Sequence, residues 1–254
     1  MNLRRIEKGG GLAKGTAIVG DSGAELVLFV EGLQLAERDR WLPALAAGVA
    51  ATLSQNLLGR QHVSGVRAAA DGSVRLSTTG GLGEVRLLFS QEFGGYSEAL
   101  KALKHQKPEA ARSGGETAFV AQRVRFVQRQ PLAVKATVRM LKYWRRERQW
   151  SSDSTRPSDD MLELIAADVV GKRRPVDLRC AVDATIAALA DFERLEVHAW
   201  PLASRCYREG DVPKLLLKQK PLLLDPTNPL ANLADASCFQ SAEMIAFARA
   251  GFSL

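Results

Sequence analysis

An α+β fold of two lobes is the architecture this sequence predicts, with a strand-rich lobe over residues 1–107 and a helical lobe over 108–254. Three observations carry it. Short apolar runs separated by glycine turns recur through the first hundred residues, with one long helical stretch among them. Beyond that point the apolar spacing turns helical to the end. A chain of 254 residues, 46% hydrophobic and 25% charged, has the length and composition to build a sizeable core.

Residues 2–8 predict a short strand that feeds Gly9, Gly10 and Gly11. Leu26–Phe29 is an apolar run within a second strand, 24–30. A glycine turn beside such a strand lets backbone amides approach a phosphate closely. The order Lys14-Gly15-Thr16 excludes a P-loop, which needs Gly-Lys followed by Ser or Thr. Trp41, Leu42, Leu45, Val49, Leu53 and Leu57 recur at helical spacing over 37–58, with Pro43 near the start. Strands at 63–69, 74–78 and 84–89 follow, punctuated by Asp71-Gly72 and Gly80-Gly81. Residues 101–116, with Pro108 and Gly114-Gly115, read as an exposed connector.

Pro131 suits the start of a helix. Leu132, Ala136, Met140 and Trp144 then give it an apolar face, and Lys135, Arg139, Lys142 and Arg146 a cationic one. Residues 151–160 are a Ser/Asp-rich loop, Met161–Leu164 a core helix, Lys172–Arg174 a basic turn and 181–196 another helix. In 221–233 two prolines, Pro226 and Pro229, make a rigid turn in which Asp225 and Asn232 can bond backbone amides. A last helix, 237–251, is closed by Gly251.

Composition narrows the function. No apolar run approaches 18 residues, which argues against a membrane span. The start, MNLRRIEKGG, has no apolar core of a signal peptide. Cys180, Cys206 and Cys238 are odd in number, far apart and without zinc spacing, which suits reduced thiols in the cytoplasm or nucleus. His62, His105 and His198 are scattered and read as structural or surface residues. Net charge is +7, but residues 101–150 hold 13 Lys/Arg against three acidic residues, leaving −3 for the rest. Such a block is a solvated face or a polyanion-binding surface.

The stretch KGGGLAKGTAIVGDSGAELVLF, residues 8–29, resembles the active-site loop and first catalytic strand of the 2′-5′-oligoadenylate synthetase family. That family has a Gly-Gly-Ser turn, a Gly-Lys-Gly-Thr step and an Asp-x-Asp-Leu-Val strand. Its serine falls on Gly11, and its two strand aspartates on Gly23 and Glu25. Its third carboxylate lies in a motif like Val-Glu-Phe-Asp-Val-Leu. The matching stretch, Gly83–Leu88, puts Arg86 there, with Glu84 as the alternative equivalent. A second block, Phe126, Pro131, Lys135, Arg139, Lys142 and Trp144, keeps the family's spacing, and Pro221–Leu233 is similar to its Asp-Pro-x-Asp-Pro signature. The family's Gln-Tyr pair, which helps hold a nucleotide base, becomes Asp159-Asp160.

The resemblance implies a bilobal nucleotidyltransferase fold, with 1–107 as the transferase-like lobe and 108–254 as the helical C-terminal lobe. Family members carry helices before the glycine turn; here eight residues precede Gly9, so an N-terminally short lobe is expected. The family joins ATP units through two divalent ions held by carboxylates. Glu25 is the only strand carboxylate retained. The expectation is therefore a catalytically degenerate homologue with no metal ligands and no cofactor. Magnesium and ATP belong to the alternative, an active divergent transferase using Asp21, Glu25 and Glu84. Gly9, Gly10, Lys14, Arg139 and Lys142 correspond to nucleotide- or phosphate-binding positions. Several residues of the family's RNA platform fall on Val124, Gln128 and Ala133; Arg123, Arg125, Arg129 and Lys135 can serve instead, because phosphate contacts tolerate shifts. Double-stranded RNA or another polyanion is the expected partner. A scaffold that keeps the fold and binds no nucleotide is the remaining reading.

Overall fold

A computed structural model of the chain describes residues 2–20, 23–57, 62–79, 83–198, 206–235, 237 and 239–251. Asp21, Ser22, the Gly80-Gly81 turn and Cys238 lie outside the described residues. The chain divides into two compact units, Met1–Arg125 and Phe126–Leu254. That division falls later than 107/108 because the helices following residue 107 pack with the sheet.

The first unit is built on a five-stranded sheet in the order β1-β2-β5-β4-β3. Its strands are β1 (Asn2–Gly9), β2 (Ala24–Glu31), β3 (Val63–Ala68), β4 (Val74–Thr78) and β5 (Glu84–Gln91). β2 and β5 run parallel and every other pairing is antiparallel. A parallel neighbour requires a crossover, supplied here by the segment between β2 and β5. Alternation splits the sheet into two faces. Leu26, Leu28, Val74, Leu87 and Phe89 lie against Leu42, Ala46 and Ala50 of α2 (Arg38–Leu57). Val27 and Phe29 face Val120 and Val124 of α5 (Val120–Gln128), with Ala13 of the short α1 (Gly10–Lys14) beside them.

The connector expected over 101–116 is helical instead: α3 (Tyr96–Lys104) and α4 (Pro108–Ala118). Pro108 opens α4, where its missing N–H is no loss. The glycines serve close packing. A Cβ at Gly114 would lie 3.0 Å from Leu103 and from Leu35.

In the second unit α7 (Asp159–Arg173) is the central helix, buried from Met161 to Ala167. Around it pack α6 (Leu132–Arg146), α8 (Leu178–Ala190) and α9 (Ala242–Arg249). The helix expected over 181–196 thus starts earlier and gives way to β6 (Glu196–Val197), which pairs in parallel with β7 (Leu222–Leu223). The proline turn behaves as predicted. Asp225 Oδ1 accepts from the Thr227 and Asn228 amides, and Asn232 Oδ1 from those of Leu223 and Ala234. Gly251 has a φ of +83°, as expected of a residue closing a helix.

The face of α6 is not the expected one. Val134, Thr137, Val138, Leu141, Lys142, Trp144 and Arg145 are buried, whereas Leu132 is exposed and Ala136 and Met140 are half-buried. An every-fourth-residue set drifts about 40° per step around a 3.6-residue helix, so it cannot keep one side inward for four steps. Mixed steps of three and four do so. The same rotation carries Lys142 out of the cationic stripe and into the interior. Among the described residues no helix is long and apolar enough to cross a membrane.

Candidate functional site

One transverse row of the sheet holds the chemistry. Gly9, Glu25, Arg86, Arg75 and Arg67 lie opposite one another on β1, β2, β5, β4 and β3. Residues in register share a face, so four charged side chains project side by side. Arg86 Nη1 donates to Glu25 Oε1 at 2.9 Å, and Nη2 to Asp71 Oδ2 at 3.3 Å. Arg75 reaches Glu84 at 3.3 Å and Asp71 at 3.5 Å, and Arg67 reaches Glu84 at 3.2 Å. Asp71 sits in the β3–β4 turn, fixed by the Ser73 amide and hydroxyl at 2.9 and 2.6 Å. Burial raises its pKa, but the Ser73 hydrogen bonds and the Arg86 and Arg75 guanidiniums outweigh that and hold it below the usual carboxylate range.

The register puts Arg86, and not Glu84, beside Glu25. A guanidinium therefore sits on the Glu25 carboxylate, and Gly23 offers no side chain. Among the described residues no group of three or more His, Cys, Asp or Glu is placed to hold a metal ion. This donor set does not fit a pair of magnesium ions, which need several hard oxygens turned toward one point. Asp21, the other carboxylate considered for such a site, lies outside the described residues.

Gly9, Gly10 and Glu25 are brought together. A Cβ on Gly9 would lie 3.3 Å from Glu25 Oε2, and one on Gly10 would lie 2.4 Å from the Gly23 carbonyl oxygen. Gly10 also has a φ of +71°. The Leu12 amide donates to that same Gly23 oxygen at 2.9 Å, and the Thr16 amide to Gly11 O at 2.8 Å. These glycines let the turn close directly on β2. Lys14, at the end of α1, is buried.

Lys142 and Arg139 belong to the second unit. Lys142 is 1% exposed, and its ammonium meets Asp159 at 2.5 Å and Glu163 at 3.6 Å. Arg145 takes the other Asp159 oxygen at 2.8 Å and donates to Pro157 O at 2.9 Å. Asp159 thus bridges two cations of α6. Arg139 is half-buried. Of the residues proposed for RNA, Arg125 and Arg129 are exposed, while Arg123 and Lys135 are half-buried. Lys135 Nζ donates to Gln128 O at 2.6 Å. The sequence reading missed Arg67, Arg75 and Asp71. Their signal was present: a turn centred on Asp71-Gly72 fixes the hairpin register that pairs Arg67 with Arg75.

Solved structures with this architecture define its class. The chain is similar to CdnC from E. coli MS115-1 solved with ATP, at 21% identity and a TM-score of 0.63 over 98% of this chain and 74% of that one. The same protein in complex with HORMA-deltaN gives 21% and 0.61 over 98% and 73%. A STING-associated CdnE c-di-GMP synthase from Capnocytophaga granulosa gives 11% and 0.53 over 97% and 72%. The fold is that of the nucleotidyltransferases. Residues 95–248 match the family described as 2′-5′-oligoadenylate synthetase 1, domain 2, C-terminus, and the chain belongs to that family. No curated protein matches it.

Proposed function

We propose that this chain is a catalytically degenerate member of its family that binds double-stranded RNA, or a polyanion of similar charge density, through basic residues of α5 and α6. The observation that carries the loss of catalysis is the 2.9 Å pair between Glu25 and Arg86. Two-metal transfer needs carboxylates that bind cations, and here the retained one is already neutralised by a fixed cation. Losing electrostatic stabilisation of this kind slows the reaction by roughly a thousandfold or more. The exposed Arg125 and Arg129, with Arg123, Lys135 and Arg139 nearby in sequence, support the binding half. Lys142 and Arg145 contribute less than their charge suggests, because Asp159 holds both. Three cysteines, odd in number and far apart in the sequence, suit a cytoplasmic or nuclear setting.

Titration with a short RNA duplex at several salt concentrations, beside an assay for 2′-5′-linked product from ATP and magnesium, tests both halves. Binding that weakens steeply with salt is expected, with a log–log slope shallower by about 2 in the Arg125→Gln/Arg129→Gln double variant. No product is expected. Product formation would favour the active transferase reading, and Glu25 and Glu84 would then be the first residues to test. Absence of duplex binding at low salt would leave the scaffold reading.

A further inference from the structure

The basic turn at Lys172–Arg174 has no part in the sheet site or in the RNA contact proposed for α5 and α6. Residues 172–179 span the end of α7, a turn and the start of α8, and all but Pro175 are exposed. Val176 is 92% exposed and Leu178 42%. Single exposed aliphatic residues are ordinary on a surface. Here two of them share one turn, bracketed by Lys172, Arg173, Arg174 and Arg179. Among the described residues Arg173 and Arg174 have no ion-pair partner. Lys172 meets Asp168 at 2.8 Å, and Arg179 comes only to 3.9 Å from Asp183. Asp177 is the one carboxylate in the stretch, and it caps α8 by accepting from the Cys180 amide at 2.7 Å. Its charge is thereby spent on the positive end of that helix. Arg174 ends α7 with a φ of +46°, in the left-handed region where glycine is the usual residue. A side chain there is strained, so the local fold favours glycine, and arginine adds charge against that preference.

We propose that the α7–α8 turn docks on an anionic lipid surface, with Val176 and Leu178 entering the headgroup layer and the four cations lying among the lipid phosphates and carboxylates. Such a contact is peripheral and needs no spanning helix. A cluster of this charge matches the negative potential of an anionic leaflet. Guanidiniums pair with phosphate oxygens two at a time and stay charged at any working pH. An RNA backbone would use the cations but would set two aliphatic side chains against charged oxygens. A bilayer uses both, because its acyl chains begin just beneath the phosphates. Two aliphatic residues anchor weakly, so the contact is reversible and depends on the charge of the lipid.

Co-sedimentation of the full chain with phosphatidylcholine vesicles, pure or with about 30% phosphatidylserine, is the test. Binding to the serine-containing vesicles is expected to be at least about tenfold stronger and to fall with salt. Arg173→Gln should weaken it about fivefold and Val176→Asp about tenfold. Val176→Trp should tighten it about threefold, since tryptophan favours the membrane interface. Arg174→Gly should weaken binding about fivefold while raising Tm by about 2–4 °C, because strain leaves with the charge. The Arg125→Gln/Arg129→Gln variant loses more charge and should stay within about twofold. Equal binding to both vesicles, an equal loss in that control, a Val176→Trp variant that binds no tighter, or a lower Tm in Arg174→Gly would each overturn the assignment. Absence of vesicle binding would also overturn it, and an acidic protein surface would then be the partner to seek. Duplex RNA binding by the turn variants should stay within about twofold of wild type, which separates a failure here from a failure of the RNA proposal.

Discussion

Lys142→Met is the substitution that most directly asks whether the ammonium of α6 is a structural ion or a ligand-binding one. Lys142 is 1% exposed and Glu163 is 3% exposed, 3.6 Å away. Arg145 remains on Asp159 at 2.8 Å, so the loss of the ammonium falls chiefly on Glu163. Removing one partner of a buried ion pair destabilises by about 3–5 kcal/mol, because the other charge stays in a poorly solvated site. The 3.6 Å separation exceeds a direct hydrogen bond, which favours the lower end, about 3 kcal/mol. At about 2–4 °C per kcal/mol for a chain of this size, Tm should fall by about 6–12 °C. Urea unfolding followed by circular dichroism measures the free energy. Adding Glu163→Gln to Lys142→Met should recover at least about 1 kcal/mol, since the buried carboxylate is then neutral. A Lys142→Met variant within about 1 kcal/mol of wild type would refute the reasoning. The ammonium would then be solvated and available to a phosphate.

Two further tests concern the sheet unit and one helix outside it. Gly72 has a φ of +76°, and a Cβ there would lie 2.5 Å from Leu42 Cδ2, so Gly72→Ala should lose about 2–3 kcal/mol by urea unfolding. Gly171→Ala in α7 meets nothing within 4 Å and should gain about 0.5–1 kcal/mol, which controls for a general effect of alanine. Asp71 has its folded pKa depressed below the unfolded value. Its contribution is therefore fully present above about pH 4 and is lost as pH falls through the folded pKa. Asp71→Asn should be less stable than wild type near neutrality, by less than about 1 kcal/mol because the group is partly solvated, and the gap should close in acid. A gap that widened as pH fell would contradict this.

Much of the fold was legible because it rests on local signals. Strand alternation, the Asp71-Gly72 turn, the long apolar spacing of α2 and the proline turn at 225–229 are each set within a few residues. The connector at 101–116 was misread because Pro and Gly usually punctuate loops. Here Pro108 opens a helix and Gly114 is selected for closeness to Leu103 and Leu35, contacts that exist only after packing. The rotated face of α6 failed for the same reason. A helix with both apolar and basic residues at several spacings does not declare which side will meet its neighbour. That side is the one on which Val134, Val138, Leu141 and Trp144 join the core with α7 and α8, and it carries Lys142 and Arg145 onto Asp159.

The sequence by itself determined the two-part α+β plan, the family resemblance and the presence of Gly23 and Glu25 at the start of the second strand, since these depend on residue identity and spacing. Tertiary structure alone decided what surrounds Glu25. Glu25 and Arg86 are 61 residues apart, and only the parallel register of β2 and β5 sets them face to face. Adding β4 and β3 in antiparallel register aligns Arg75 and Arg67 beside them. An ion network spans neighbouring strands, and which strands are neighbours is a property of the folded sheet.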